Sequence, residues 1–288
     1  MKDDLCRFIR LTLIMVFILG LAIEAPAHDK RERLRIVSLS PAITESLFLL
    51  GLKDNIVGVT RYCVNPAEAR AKERIGTVIE PDLEKIVKLK PDLILAMGLT
   101  DHKSVIKLKN LGFTVMTYAI PNTFSEICDV FLEIGTATGR SEEARRIVMA
   151  ARTRVAEIHT ITSRLDKPRV LIQLGTKPFF VATRESFIND YLTFGGAVNI
   201  FRDAPSGAVS REEALIRNPD VILVVTMGLS GDNEMLAWKR YRSVSAVKTS
   251  RIYSLNSDDV CSPTPASFAQ ALKKIAGLLH PRKLQGWQ

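Results

Sequence analysis

The chain is poor in the motifs and residue runs that mark nucleotide-dependent enzymes, hydrolases and nucleic-acid-binding proteins. No GxGxxG, GxxxxGK[ST] or GxSxG segment occurs in its 288 residues, so the sequence offers neither a phosphate-binding loop nor a serine elbow. The formal net charge is +9, but the basic residues form no long block, and aromatic residues make up only 7%. We therefore expect neither an enzyme nor a nucleic-acid-binding protein.

Long hydrophobic runs are missing after the first part of the chain. The one apolar run, LTLIMVFILGLAI at residues 11–23, follows three basic residues and precedes Ala25-Pro26-Ala27. A basic start, a short apolar core and small residues at the exit are typical of a secretory signal peptide. The alternative is an uncleaved membrane anchor, but 13 residues fall short of the ~20 that span a bilayer. We therefore expect a signal peptide over residues 1–27, with cleavage near Ala27.

Cysteine is also scarce. Beyond the expected signal peptide, the chain has only Cys63, Cys128 and Cys261. An exported protein can form disulfides, but an odd count leaves one thiol over. Cys128 lies in a segment with helical apolar spacing, behind a capping-box pattern of Thr123 and Glu126, so we expect it to be buried in a helix. Cys63 and Cys261 remain as a candidate pair.

What the sequence does contain is a regular alternation of strand and helix patterns. The segment RIVSLSPAITESLFLLG reads as a strand, a cap at Ser40, Pro41 at the first helical position and a helix closed by Gly51. Similar units follow, and a second series begins at residue 169 with RVLIQLG. Strands that alternate with helices predict an α/β fold with mainly parallel, Rossmann-like sheets.

A long helix is predicted between the two series. From Ser141 the chain runs for 24 residues without glycine or proline, its apolar residues recur every three to four positions, and Pro168 follows. The sequence therefore predicts an N-terminal α/β lobe over residues 28–140, a bridging helix over residues 141–166 and a C-terminal α/β lobe over residues 167–288.

One phrase occurs twice. Residues 83–95 read LEKIVKLKPDLIL and residues 211–223 read REEALIRNPDVIL, each with a glutamate in front of a Pro-Asp pair and an aliphatic run. Both predict a helix, a turn and a strand, one set in each lobe. Loops between helices and strands often use proline and aspartate, so the two units alone do not prove an internal repeat.

The glutamates of the phrase, Glu84 and Glu212, fall in the first turn of their helices. Asp82 and Ser210 are the expected caps, and Ser210 with Glu213 has the form of a capping box. Carboxylates in this position are stabilised by the helix dipole without any binding partner. The pattern alone therefore assigns these glutamates no function.

Several segments together resemble a known family. RIVSLSPAITESLFLLG, VGVTRYCVNPAEA, LEKIVKLKPDLIL and SREEALIRNPDVIL are similar, over about residues 34–280, to the substrate-binding proteins of ABC importers for cobalamin and ferric siderophores. QLGTKPFF, NIFRD and VSREEAL are most similar to the cobalamin-binding branch. The resemblance implies a periplasmic protein of two lobes, bridged by one rigid helix, with the ligand cleft between them. The general rule for open α/β sheets places a ligand site at the same strand ends.

The resemblance also implies which residues line the cleft. The matching positions are Ser40, Tyr62, Cys63, Val78, Phe179, Phe180, Ser206, Asp258, Cys261 and Ser262. Corrinoid binders of this family have more aromatic clefts: Val78 and Ser206 stand where tryptophans are expected. Ser262 replaces an arginine, whereas Asp258 matches an acid. A cobalamin-like corrinoid is the leading ligand, and ferric siderophore and haem stay open.

Partners are implied in the same way. In the cobalamin-binding branch one glutamate on each lobe pairs with arginines of the permease, and Glu84 and Glu212 match these positions. The resemblance thus implies an ABC permease dimer with its cytoplasmic ATPase, a small-molecule chelate as ligand, no intrinsic cofactor and a monomeric protein. A sensory or partner-binding receptor that uses the same cleft without a permease is the alternative from another class.

The match would put Cys63 and Cys261 on cleft-facing loops of opposite lobes. An interlobe disulfide, a pair of soft metal ligands and two unrelated thiols all remain open at this point. His102 could line the cleft, but together with Asp101 it is too small a ligand set to predict direct metal binding.

Overall fold

The computed structural model describes residues 33–226 and 231–286. The signal peptide predicted over residues 1–27, with its cleavage site near Ala27, lies outside this part of the chain. Within the described residues, none of the helices combines the length and the apolar character that crossing a membrane requires.

Four parallel strands form the first sheet, in the order β2-β1-β3-β4. The strands are β1 Ile36–Ser38, β2 Ile56–Val59, β3 Leu93–Met97 and β4 Val115–Tyr118. The helices of this lobe are α1 Pro41–Leu49, α2 Leu83–Leu89, α3 His102–Asn110 and α4 Phe124–Ala137. Asp82, Asp101 and Thr123 cap the last three of them, because each side chain accepts a hydrogen bond from the backbone N–H three residues further on.

Helix α5, Ser141–Thr162, connects the two sheets. Its 22 residues correspond to a length of about 33 Å. One side of the helix is buried, with residues spaced three and four apart: Ala144, Val148, Ala151, Val155 and Ile158. This side packs against α4 of the first lobe and against the last helix of the second. The connecting helix is therefore part of the hydrophobic core rather than an exposed rod.

The second sheet has the strand order β6-β5-β8-β9, and a short strand β7 also pairs with β5. Every pair is parallel except the β5–β6 hairpin. The strands are β5 Arg169–Thr176, β6 Phe179–Val181, β7 Val198–Asn199, β8 Val221–Thr226 and β9 Ile252–Asn256. The helices are α6 Ile188–Phe194, α7 Arg211–Arg217, α8 Gly231–Lys239, α9 Ser245–Lys248, α10 Ser257–Val260 and α11 Pro265–Leu279. The predicted fold class, two mainly parallel α/β lobes, is confirmed.

The core consists of one central cluster and one outer cluster in each lobe. In β3, Leu93, Leu95 and Met97 face the central cluster, whereas Ile94 and Ala96 face the outer one. Strand β8 alternates in the same way, as expected for strands covered on both faces. The central cluster contains residues of both sheets and of α4, α5 and α11. The two lobes therefore share one continuous hydrophobic core.

The duplicated phrase builds the same structure twice. In the first lobe the Asp92 carboxylate accepts a hydrogen bond from the backbone N–H of Arg35 at 2.7 Å. In the second lobe the Asp220 carboxylate accepts one from the backbone N–H of Arg169 at 2.9 Å. Each arginine guanidinium also donates to the last carbonyl of the helix in its unit, α2 or α7, at 2.6 and 2.9 Å. The two units are thus a structural repeat, and the arginines at the strand starts belong to it.

In both predicted capping boxes, only one of the two expected hydrogen bonds forms. Thr123 and Ser210 accept hydrogen bonds from the backbone N–H groups of Glu126 and Glu213, as expected. The Glu126 carboxylate, however, accepts from the residue before the cap. Glu213 instead pairs with Arg217 at 2.9 Å, because an arginine four residues later on the same helix face competes for the carboxylate.

Candidate ligand-binding cleft

A cavity of about 570 Å³ lies between the two lobes. The first lobe contributes the start of α1, the loops after β2, β3 and β4, and one side of α4. The second lobe contributes Phe187 and residues from the segment 257–265, which follows β9. Most of these segments follow the carboxyl ends of parallel strands, where open α/β sheets place ligand sites. The expected cleft is therefore present, and its volume falls in the range of small-molecule sites.

Apolar side chains form most of the cavity wall. Helix α4 contributes one face, with residues three and four apart: Ile127, Val130, Phe131 and Ile134. Three further lining side chains are large and apolar but 54%, 57% and 44% exposed: Tyr62, Leu99 and Ile120. Exposed apolar surface that is concentrated in a groove marks a binding site. The cavity is suited to a ligand with a broad apolar face.

The charged residues of the lining are both acids, Glu45 and Asp258. Glu45 lies on α1, and its carboxylate accepts a hydrogen bond at 3.0 Å from the hydroxyl of Thr264, the N-cap of α11 in the other lobe. Burial raises the pKa of Glu45, and repulsion from Asp259 adds to this, while hydrogen bonds from Ser267 and Thr264 lower it. Asp258 is exposed in the first turn of α10. The cleft therefore has one carboxylate on each lobe.

Six of the residues predicted from the sequence line this cavity: Ser40, Tyr62, Val78, Asp258, Cys261 and Ser262. Cys261 follows α10, and burial, together with repulsion from Asp258, raises the pKa of its thiol to about 11. A thiol with so high a pKa stays protonated near neutral pH and is a poor nucleophile and metal ligand. The structure thus brings these six residues together, and their contact with a ligand stays a prediction.

Phe179 does not line the cavity, and its contact with a ligand stays a prediction. It is 8% exposed and packs into the outer core of the second lobe, 6.1 Å from the Trp238 ring and beside the guanidinium of Arg211. Phe180 and Ser206 are exposed on neighbouring segments outside the cavity lining. Their contact with a ligand that extends beyond the cavity stays a prediction.

Cys63 also lies outside the cavity lining. Its side chain is fully buried, and its sulfur lies 3.2 Å from the hydroxyl oxygen of Thr60. In the described part of the chain, Cys63, Cys128 and Cys261 are all free thiols. The interlobe disulfide is therefore ruled out in this structure, and a buried Cys63 cannot join Cys261 as a ligand pair in the cleft. The two thiols are unrelated.

His102 is exposed at the start of α3 and does not line the cavity. Asp101 is the N-cap of this helix, since its carboxylate accepts a hydrogen bond from the backbone N–H of Ser104 at 2.8 Å. Among the described residues, no cluster of three or more histidine, cysteine or acidic side chains is arranged to hold a metal ion.

Comparison with known proteins agrees with this architecture. A family model described as periplasmic binding protein matches residues 36–258. The chain belongs to this family.

A vitamin B12-binding protein of Vibrio cholerae is 30% identical over 237 residues, which cover 81% of this chain and 85% of the relative. An uncharacterized ABC transporter substrate-binding lipoprotein of Bacillus subtilis is 30% identical over 262 residues, 88% of this chain and 82% of the relative. The solved structure of a possible iron-binding (periplasmic solute-binding) protein of Staphylococcus epidermidis has 30% identity and a TM-score of 0.76, covering 85% of this chain and 98% of that one.

These relatives confirm the resemblance seen in the sequence. They are binding proteins, so the expectation that this periplasmic binding protein is not an enzyme is also confirmed. Their names differ in the solute, vitamin B12 in one case and iron in another. The family therefore gives the kind of protein, a solute-binding protein, but not its particular solute.

Glu84 and Glu212 of this periplasmic binding protein occupy equivalent places. Each is the second residue of its helix, α2 or α7, and each is exposed. The caps Asp82 and Ser210 accept hydrogen bonds from the backbone N–H groups of Lys85 and Glu213. Because α2 and α7 belong to the structural repeat, the two glutamates lie at the same position of each lobe. A role in docking stays a prediction.

Sequence reasoning missed Glu45 and the cavity face of α4. The spacing of Ile127, Phe131 and Ile134 was visible, but an apolar helix face is usually read as core. Glu45 left a weaker signal, a single carboxylate inside the otherwise uncharged helix PAITESLFL. A carboxylate in the middle of a largely buried helix indicates a cavity or a partner.

Proposed function

We propose that this protein is the substrate-binding component of an ABC importer that captures a cobalamin-like corrinoid in the cleft and delivers it to a membrane permease. The observation that carries the proposal is the similarity to a vitamin B12-binding protein over 81% of the chain. The mostly apolar interlobe cavity supports it. The secretory signal predicted over residues 1–27 supports export to the periplasm.

The chemistry of the cavity fits a corrinoid. A corrinoid has a broad macrocycle edged by uncharged amide groups. The half-exposed Tyr62, Leu99 and Ile120 can pack against the macrocycle, and the removal of their surface from water favours binding. Asn65 and Ser262 in the lining supply donors and acceptors for the amide edge.

Calorimetric titration of the purified mature protein with cyanocobalamin tests the proposal. We expect one corrinoid per protein and a shift of the corrinoid absorption bands on binding. Leu99→Ala should weaken binding about tenfold, since it removes a large lining side chain. Glu142→Gln, on the exposed side of α5, is the matched control and should leave the affinity unchanged. Absence of corrinoid binding under conditions where a ferric chelate binds would refute this ligand.

A ferric chelate, a siderophore or haem, is the second candidate. The similarity to a possible iron-binding protein supports it, and Tyr62 places a half-exposed phenol in the cavity lining where it could bind iron. The protein purified from its exporting host decides between the two, because corrinoid, haem and ferric siderophore have different visible spectra. Tyr62→Phe should weaken haem binding, because a tyrosine oxygen can ligate haem iron, but leave corrinoid binding nearly unchanged.

For the membrane partner, we infer that Glu84 and Glu212 dock the loaded protein onto a two-fold permease. Their equivalent, exposed positions in the structural repeat support this inference. Two separated acidic points can orient a protein on a symmetric basic surface and raise the association rate.

A further inference from the structure

The cleft cavity carries negative charge that no basic residue of its lining balances. Glu45 and Asp258 line it, whereas none of the lining residues is lysine, arginine or histidine. The neighbouring Asp259 is paired with Lys274 at 3.7 Å. Within the described residues, no such ion pair involves Glu45 or Asp258.

The two carboxylates belong to different lobes. Glu45 belongs to α1 of the first lobe, and Asp258 belongs to α10 of the second. A ligand in the cavity therefore meets a wall that contains both carboxylates. Arg61, next to Tyr62, is exposed and lies outside the cavity lining. The hydroxyl of Thr264 holds the Glu45 carboxylate in place from across the cleft.

This arrangement affects charged and uncharged ligands differently. An anionic ligand would lose hydration on entering an apolar cavity and would also meet two like charges. Repulsion is stronger there than in water because the effective dielectric constant is lower. An uncharged ligand avoids both costs, and a cationic ligand gains attraction.

We propose that the cleft selects chelates without net negative charge, such as an amide-edged corrinoid, and rejects chelates with an anionic edge, such as haem with its two propionates. Glu45 and Asp258 are the residues that make this selection. The inference rests on the proposed function, because it names the ligand class of the same cleft.

A pair of fluorescent probes tests the charge selection independently of the natural ligand. Anilinonaphthalene sulfonate is anionic, and its uncharged parent, phenylnaphthylamine, has the same aromatic frame. In the double variant Glu45→Gln/Asp258→Asn we expect sulfonate affinity to rise about tenfold. Affinity for the uncharged probe should change by less than about twofold. Leu99→Lys, which adds a cation at an exposed lining position, should raise sulfonate affinity as well.

The matched control is Glu142→Gln/Glu157→Gln, which removes the same number of charges from exposed positions on α5. In this control variant, the affinity for both probes should be the same as in the wild type. If the cavity variants leave sulfonate affinity unchanged, or if the control raises it equally, the charge selection is overturned.

Matched chelates then separate this inference from the proposed function. Wild-type protein should bind cobalamin more tightly than its monocarboxylate derivative, and haem dimethyl ester more tightly than haem. The double variant should lose both preferences. If cobalamin and its carboxylate bind equally to wild-type protein, the selection fails while the corrinoid function stands. If no chelate binds but the probes behave as expected, the function fails while the selection stands.

Discussion

At the scale of single residues, Glu45 links the cleft to the seam between the lobes. Its carboxylate accepts the Thr264 hydroxyl across that seam, and burial, with added repulsion from Asp259, raises its pKa above the ordinary value. Lys274, which pairs with Asp259, is the nearby cation on α11. Loss of hydration on burial raises the pKa of a carboxyl group when no cation compensates for it.

Glu45→Gln should therefore remove a pH dependence of stability. Because the folded-state pKa is raised, the stabilising contribution of Glu45 is present below the unfolded pKa and is lost as pH rises through the folded pKa. As pH rises from the ordinary pKa of a glutamate through the raised pKa of Glu45, the Tm of the wild type should fall relative to that of the variant. Thermal unfolding followed by circular dichroism at several pH values measures this. A difference in Tm that stays constant with pH contradicts the expectation.

The placement of single residues was partly predictable. Tyr62, Val78 and Asp258 line the cavity at positions inferred from the family match. Phe179 and Phe180 were both assigned to the cleft, but neighbours in a strand point to opposite faces, so only one of the two could be there. In β6 the buried one is Phe179, at 8% exposure, while Phe180 is 41% exposed. Strand alternation therefore favours at most one of the two for the cleft wall.

At the scale of elements, the repeated unit fixes a helix end to the start of a strand in both lobes. Asp92→Ala and Asp220→Ala should each destabilise the protein by about 1 kcal/mol, because each removes a hydrogen bond between a carboxylate and a backbone N–H. Urea unfolding measures the change. Asp129→Ala is the control, since its ion pair with Arg152 is exposed and 3.7 Å long and contributes about 0–1 kcal/mol. Equal destabilisation at all three positions would show that the two hydrogen bonds do not fix the helix ends to the strand starts.

Helix α7 is also held by a buried network that involves its first residue. The Arg211 guanidinium lies 4.9 Å from the Phe179 ring centre and 4.8 Å from that of Trp238, and it pairs with Glu234 of α8. The Trp238 indole donates to the Gln173 side chain at 2.7 Å. This network connects α7, which carries Glu212, with β5, β6 and α8.

Replacing only one residue of the Arg211–Glu234 pair should lower the free energy of unfolding more than replacing both residues. Arg211→Met or Glu234→Leu alone leaves an uncompensated, largely buried charge, which costs about 3 kcal/mol. The double variant should be destabilised by much less than the sum of the two single variants, because two apolar side chains can fill the site. Urea unfolding of all four proteins completes the double-mutant cycle. Additive losses would show that the two charges do not interact.

The sequence predicted those helices and strands that are long enough to show a helical or a strand period in their apolar residues. The connecting helix and the buried strands β5 and β8 match their patterns closely. β6, β7, α9 and α10 have only two to four residues each, which is too short for either a helical or a strand period to appear. Their conformation is set by tertiary contacts, such as the pairing of β6 and β7 with the edge of β5 that lies opposite β8.

At the scale of the whole molecule, the lobes are joined by more than α5. Phe124 of α4 stacks on Phe268 of α11 with ring centres 4.6 Å apart, and Phe268 stacks on Tyr191 at 4.3 Å. The backbone N–H of Phe124 donates to Asp190 of the other lobe at 2.8 Å. The seam between the lobes is therefore packed like a protein interior, and such packing resists wide opening.

Ligand binding should accordingly leave the overall dimensions nearly unchanged. We expect the radius of gyration from small-angle X-ray scattering to be the same, within error, with and without a saturating ligand. The physical reason is that hinge closure would have to break the shared core and its aromatic stack. A clear decrease in the radius on binding would contradict this and would place a hinge within the seam.

We propose that the membrane partner recognises the protein at a surface that contains Glu84 and Glu212, the exposed acidic residues at the equivalent position of each lobe. The double variant Glu84→Lys/Glu212→Lys should abolish ligand uptake in cells or proteoliposomes that contain the cognate permease. Its ligand affinity should stay within about twofold of the wild type, since neither glutamate lines the cavity. Each single variant should slow uptake partially, and more so at low salt, because screening weakens charge steering.

Glu142→Lys, an equal charge reversal on α5, is the control. Loss of ligand binding in the double variant would refute docking as the cause, and unchanged uptake would show that the permease does not need these two glutamates.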